Sequence, residues 1–436
     1  MEEFSEYKHI LNLLSTENIR YCVLRNFSFL EEERNPMSSV ERSVDVSVHS
    51  HDYSLFHTLL LQNGFLRRKD QFSLKHKAYF KVVGKNMVSF DVQVGGIYWN
   101  DMAYLGDDIF DRLKKKRYFT VLSDDDSFVM YLFHSLLGKR YFKKTYREIL
   151  LSLLPQINSE VVIAQLSFVF NTSIARWLYL KVSSAKFREI LCWKYFLIFY
   201  FIARSPAHVF TSFFLFWRWV KWKKYCSTYP LISVIGPDGA GKSTLIKSLE
   251  EQLKRYNRKV CVIYTGRGRS QIIPIRKVGN RYKHKEKQDD QNEDKKENYS
   301  LFKKKMLYTS WAVVSTFDLL LRYFFRIMVA RRRRIIVLTD RYCSDIFLMK
   351  YVPLWLKKGL LRLFPKPTLT FYLYNTAEVL HSRRPAETIE GLERQLVLFG
   401  YLQQYLNAYA LQTDSVEVTE QEVIKRVMEF VYKEWY

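Results

Sequence analysis

Cysteine is scarce and scattered in this sequence: Cys22, Cys192, Cys226, Cys261 and Cys343 are the whole complement. None lies at a metal-binding spacing, and five isolated thiols do not make a disulfide framework, so a reducing, cytoplasmic compartment is expected. Acidic charge is in deficit as well. Against 69 Lys and Arg stand 44 Asp and Glu, a net charge of +25. Such a surface draws polyanions: nucleic acid, an anionic membrane leaflet or phosphorylated substrates. Long apolar runs are missing too, because neither 193–203 nor 208–225 reaches the ~20 uninterrupted residues that span a bilayer. The opening MEEFSEYKHIL is acidic and amphipathic, which does not suit a secretory signal. A hydrophobic fraction of 48% excludes a disordered chain, and 436 residues exceed one compact core, so two or three domains are expected.

What is present divides near residue 230. The expected segments are an α+β domain over 1–122, a helical connector over 123–229 and an α/β domain over 230–436. Apolar groups at helical spacing cover 4–14, and IRYCVLRN (19–26) and SVDVSV (43–48) read as strands. Residues 52–65 read as a helix opened by Asp52 and closed by Gly64. A hairpin turns at Gly84-Lys85-Asn86, Asp124 begins another helix, and helical periods continue to about 203. His134, on an apolar helical run, is expected as a packed core histidine.

The order of elements through residue 96 resembles the nucleotidyltransferase fold, in which three strand-borne carboxylates hold two metal ions. Asp45 and Asp91 match the second and third acids, and Ser43 stands at the first. The resemblance therefore implies a degenerate site; the other reading is two ordinary polar positions on a half-buried sheet. In 208–225, Trp217, Trp219 and Trp222 alternate with Arg218, Lys221, Lys223 and Lys224. That mixture suits an interfacial helix in peripheral contact with an anionic membrane. A helical hairpin packed between two domains is the alternative.

The second half carries the chemistry. LISVIGPDGAGKSTLIKSLE (231–250) runs from an apolar strand through G-x-x-x-x-G-K-[ST] into a helix, the context that a phosphate-binding loop requires. Gly236, Gly239, Ala240, Gly241, Lys242, Ser243 and Thr244 are the candidate nucleotide-binding residues. Glycines let the backbone turn its N–H groups toward phosphate oxygens, and the helix start adds a positive dipole end. In this pattern Lys242 neutralises the β- and γ-phosphates and the Ser243 hydroxyl ligates Mg²⁺.

Further elements follow in order. RKVCVIYTGRGRS (258–270) is a strand ending in Thr265-Gly-Arg267, and RRRRIIVLTDRYCSD (331–345) is a strand ending in Asp340-Arg341-Tyr342. PKPTLTFYLYNTAEVLHSRRP (365–385) is a strand and helix ending in Arg383-Arg384, with Arg394 beyond. Over 230–410 this succession, with the loop filling Pro-Asp-Gly-Ala, resembles thymidylate kinase and its P-loop relatives. The resemblance implies a doubly wound parallel sheet that uses ATP and Mg²⁺. It implies that Ser243 and Asp340 hold the metal, and that Lys242 and Arg341 stabilise the transferring phosphoryl group. Asp238 and Arg267 would orient the acceptor, and Arg383 or Arg384 would belong to a lid. The chain departs from that family in lacking an Arg-Ala-Gln element over 300–330 and in carrying a charged insert at 280–300. Asp318, on the 301–330 helix, is expected to be solvated, with contact to a substrate hydroxyl as the alternative.

The expected activity is transfer of the γ-phosphate of ATP to an anionic or membrane-associated acceptor: a nucleotide, a sugar or a glycolipid precursor. The expected place is the cytoplasm, at the inner face of the membrane where contact is made. A polynucleotide end kinase and a non-catalytic, ATP-gated regulator stand as alternatives, with nucleic acid the weaker partner because no recognisable binding module is present.

Overall fold

A computed structural model describes residues 2–36, 43–69, 73–225, 229–266, 272, 298–349 and 351–434. The chain forms two compact units, one over the first 224 residues and one over Tyr225–Val431.

In the first unit, helix α1 (Glu2–Thr16) precedes a seven-stranded sheet. Its strands are β1 (Tyr21–Arg25), β2 (Ser43–Val48), β3 (Leu66–Arg67), β4 (His76–Val83), β5 (Asn86–Val94), β8 (Lys114–Lys115) and β9 (Thr120–Val121), in the order β3-β4-β5-β2-β1-β9-β8. A separate pair, β6 (Ile97–Trp99) and β7 (Met102–Leu105), lies outside it. β2 and β5 are parallel, whereas β1 pairs β2 and β4 pairs β5 antiparallel. The apolar run in β1 has no polar alternation because both faces of the sheet are covered. Tyr21 and Val23 enter a core with Tyr7, Leu11 and Phe90; Cys22 and Leu24 enter a second core with Phe128, Leu132 and Leu166. The helical stretch after residue 123 thus shares a buried core with the sheet.

Helix α2 spans Tyr53–Gln62, after a 3₁₀ turn at Ser50–Asp52. Asp52 does not cap it. Its carboxylate instead accepts from the Arg20 backbone N–H at 3.0 Å and from Arg20 Nε at 2.8 Å, so an ion pair with β1's flank has replaced the expected helix signal. Gly64 does close the helix, at φ +80°. Helix α3 (Asp124–Phe133) begins where expected, with Ser123 Oγ accepting from Asp126 N at 3.1 Å. The last two helices of this unit, α4 (Lys194–Ala203) and α5 (Pro206–Tyr225), are bent by 105° at the break between them.

The second unit is a five-stranded, all-parallel sheet of β10 (Leu231–Ile235), β11 (Val260–Tyr264), β12 (Ile336–Asp340), β13 (Leu369–Tyr374) and β14 (Tyr409–Gln412). The order is β11-β12-β10-β13-β14. Every residue of β10 is buried, as a central strand with both faces covered requires. From β10 the chain lays β11 and β12 on one side and β13 and β14 on the other. Such a reversal opens a crevice at the strands' carboxyl ends, where open α/β sheets bind ligands. Helices α6 (Lys242–Arg255), α7 (Asn298–Arg322) and α8 (Ala377–Arg383) connect the strands.

Candidate active site

The crevice is built around residues 236–243, which join β10 to α6. Gly236 (φ +151°), Gly239 (φ +89°) and Gly241 (φ +84°) hold conformations that other residues rarely adopt. The first two also have no room for a side chain. A Cβ at Gly236 would collide with the Leu373 carbonyl of β13, and one at Gly239 would sit 2.9 Å from the Leu380 carbonyl of α8. At Gly241 a Cβ would meet nothing within 4 Å, so there the requirement is conformational only. Ala240, within the loop, is fully buried, and Thr244 lies exposed in the first turn of α6.

Lys242 is 6% exposed, and its Nζ donates to the Pro237 carbonyl at 2.6 Å. Burial, and then the nearby Arg341 charge, push its pKa down to about 8 against the pull of Asp238 and Asp340. The loop thus holds its own lysine against one of its backbone carbonyls.

β12 runs beside β10 and delivers Asp340 opposite the start of α6. Ser243 Oγ donates to Asp340 Oδ2 at 3.4 Å, and Asp340 Oδ1 is buried without a hydrogen-bond partner among the described residues. Burial raises the Asp340 pKa, with Lys242 and Arg341 opposing. A hydroxyl beside a carboxylate with an unused oxygen is a hard, oxygen-only donor set, and it fits Mg²⁺. The Asp340 backbone carbonyl accepts from both Thr265 N (3.1 Å) and Thr265 Oγ1 (2.9 Å), which fixes the end of β11 to the same point.

Immediately after Asp340 the chain is strained. Arg341 (φ +76°) and Tyr342 (φ +42°) are both left-handed without being glycine, a conformation costing roughly 1–3 kcal/mol per residue that clusters at functional sites. The turn is pinned by Arg341 N donating to Val234 O at 3.1 Å and by the Tyr342 hydroxyl donating to the Pro365 carbonyl. It aims the Arg341 guanidinium back across the loop, where Nη2 donates to Asp238 and Nη1 donates to Asp345 Oδ1 at 3.3 Å. Burial works against the charge of Arg341, but Asp345 and Asp238 outweigh it and raise its pKa. Asp238 in turn lies 3.9 Å from Lys242 Nζ and 3.6 Å from Arg384 Nη1. Burial opposes its ionisation, yet Arg341, Lys242 and Arg384 together hold its carboxyl below the ordinary value.

Among the residues singled out from sequence, the fold thus gathers Gly236, Asp238, Gly239, Gly241, Lys242, Ser243, Asp340 and Arg341 into one crevice. Arg267 lies outside the described residues. Arg383 and Arg384 part company: Arg383 donates to Thr413 Oγ1 (3.1 Å) and to the Thr413 carbonyl (2.7 Å) at the end of β14, whereas Arg384 faces the loop. Arg394 is exposed. Asp318 is 1% exposed and ion-paired with Arg322, which overturns the expectation that it is solvated. Arg322 donates to the Gly266 carbonyl at 3.2 Å, and Asp318 Oδ1 accepts from Ile272 N at 2.9 Å, so the pair ties the region after β11 to α7. Asp345 was not singled out. Its spacing of four residues from Arg341, like that of Asp318 from Arg322, is the signal that could have found both partners.

In the first unit, Arg25, Asp45 and Asp91 face one another across β1, β2 and β5. Arg25 Nε donates to Asp45 Oδ2 at 2.5 Å, and the same guanidinium lies against the His134 ring. His134 is therefore half-buried beside a cation rather than packed in an apolar core. Burial, then Arg25, Lys139 and Lys143, push its pKa down to about 3. Burial raises the Asp45 pKa, with Arg25 opposing and Asp91 adding to the rise.

No protein-family model matches the chain. No curated protein matches it. Among solved structures, thymidylate kinase from Ehrlichia chaffeensis aligns with 46% of this chain and 99% of its own, at 18% identity and a TM-score of 0.31. A likeness at that score carries no functional argument; the second unit is a mixed α/β fold built on an all-parallel sheet.

Proposed function

We propose that the second unit is an ATP-dependent phosphotransferase that moves the γ-phosphoryl group of ATP to an anionic acceptor. The observation that supports it most is the glycine loop between a parallel strand and a helix, with Ser243 beside an Asp340 oxygen that has no partner among the described residues. In this reading the loop backbone and Lys242 bind the β- and γ-phosphates, and Ser243 and Asp340 hold Mg²⁺. Mg²⁺ bound there neutralises phosphate charge. Arg341 stabilises the three oxygens of the transferring group, and Arg384, more exposed, approaches from the α8 side.

Asp238 fits as the anchor of Arg341. A carboxylate held ionised by three cations is a weak base, so it is poorly suited to deprotonate an alcohol. That favours an attacking oxygen that needs no deprotonation, as on a phosphate. The bond from the γ-phosphorus to its bridging oxygen breaks, a bond to the acceptor oxygen forms, and ADP leaves. Such acceptors include nucleotides, sugar phosphates and lipid-linked phosphates.

The test is transfer of label from γ-³²P ATP to lysate metabolites and to a lipid extract, with Lys242→Ala in parallel. A labelled product made only by the wild type is expected, and its partition between lipid and water names the acceptor class. If the chain binds ATP and labels nothing across a wide acceptor panel, it is an ATP-gated regulator instead.

A further inference from the structure

Helix α5 meets its own unit along one narrow stripe. His208 Nδ1 lies 3.0 Å from the Phe201 carbonyl, Ser212 Oγ donates to Met102 Sδ at 3.8 Å, and Leu215 is 7% exposed. Residues 208, 212 and 215 share one helical face. Over residues 206–221 much of the remaining surface is aromatic and exposed: Phe210 is 75% exposed, Phe213 63%, Phe216 58% and Trp217 52%. Tyr195 and Phe199 of α4 add 66% and 69%. A helix that is apolar all round belongs in a core or in lipid, and contiguous exposed apolar surface of this kind marks an interaction site.

Two observations name the occupant. The first is charge. Neither α4 nor α5 contains an acidic residue, and the sequence of the last turns of α5 carries Arg218, Lys221, Lys223 and Lys224 interleaved with tryptophans. Aromatic residues interleaved with lysine and arginine match the boundary between acyl chains and anionic head groups. The second is length. The apolar part of α5 before Arg218 is ~18 Å long at 1.5 Å rise per residue, against a hydrocarbon core of ~30 Å. No single helix among the described residues is long and apolar enough to cross a membrane, and the 105° bend prevents α4 and α5 from adding into one rod.

We propose that α4 and α5 form a wedge that seats the chain on an anionic bilayer surface. The phenylalanines of α5 enter the upper acyl region, and Arg218 and Lys221 meet the lipid phosphates. This rests on the first unit alone and is independent of the phosphotransferase reading.

The test is co-sedimentation of the full chain with vesicles of phosphatidylcholine, with and without phosphatidylglycerol. Binding is expected with phosphatidylglycerol only and should weaken as salt rises. Phe210→Glu with Phe213→Glu should lower partitioning about tenfold or more by removing buried apolar area. Arg218→Glu with Lys221→Glu should do likewise by reversing the attraction to the anionic surface. Circular dichroism and the thermal transition of both variants should match the wild type. The proposal is overturned if anionic vesicles are not bound, if neutral ones are bound as well, or if properly folded variants still bind. It is also overturned if the wild type is an oligomer that either variant converts to a monomer, because a second copy then covers the face. Resistance of the vesicle-bound chain to alkaline extraction would likewise overturn it in favour of a spanning segment.

Discussion

Asp45 in the first unit and Asp340 in the second are both strand carboxylates whose pKa is raised chiefly by burial, yet their surroundings differ in one decisive respect. Asp45 has a counter-charge built into the chain, with Arg25 Nε at 2.5 Å. Asp340 has a serine hydroxyl at 3.4 Å and one oxygen without a partner among the described residues. The guanidinium of the neighbouring strand pairs the Asp45 carboxylate within the sheet. A buried oxygen without a partner is costly in a purely structural role, and a cation held there, as proposed, would offset that cost. Residue type and burial alone do not separate these two sites; the placement of the counter-charge does.

The sharpest way to break the comparison is to remove charge from each site in turn. Lys242→Ala should lower kcat by a factor of about 10³, the scale of losing a charged group that acts on the transferring phosphoryl. Asp340→Asn should lower it by about 10² and raise the Mg²⁺ concentration needed for half-maximal rate, read from a magnesium titration of the same assay. Asp45→Asn should leave rate and magnesium dependence unchanged. It should instead cost about 2 kcal/mol of stability in urea unfolding, because the Arg25 charge loses its partner; the figure lies below that of a fully buried pair because both side chains keep some solvent contact. A magnesium requirement that moved with Asp45 would sink the distinction between the two carboxylates.

The difference was only partly legible in the sequence. The loop was legible because its glycines are dictated by backbone geometry at fixed offsets, and Gly236 and Gly239 do lie against carbonyls that leave no space. The strands were legible because apolar runs such as that of β10 have one physical cause, burial on both faces. Charge partners were not legible. Arg25 reaches Asp45 through strand pairing between segments 20 residues apart in sequence, and Asp52 gave up its expected helix cap for Arg20 by the same route. Arg383 and Arg384 are adjacent in sequence, and only the end of α8 decides which one faces the loop.

That last separation makes a smaller prediction. Arg384→Ala should lower kcat/KM for ATP about tenfold, as expected for one partly solvated cation near the phosphates. Arg383→Ala should leave kcat/KM near wild type and cost about 1 kcal/mol in thermal unfolding, the scale of the bonds it makes to Thr413 at the end of β14.

The smallest effect concerns pH and the loop lysine. Burial and then the Arg341 charge push the Lys242 pKa down to about 8, below the ordinary lysine value. The unfolded chain therefore holds this proton over a window, from about 8 up to the ordinary lysine range, in which the folded chain has released it. Stability of the folded chain gains a contribution that rises with pH across that window, and below it the full cost of burying the charge is present. Bound phosphate reverses the preference by pairing with the ammonium group. ATP binding above pH 8 must then take up a proton, and the apparent affinity should fall about twofold between pH 7 and pH 8. Calorimetry in two buffers of different ionisation enthalpy reads the proton directly. Lys242→Met should abolish the uptake, and an unchanged uptake in that variant would assign the proton to another group.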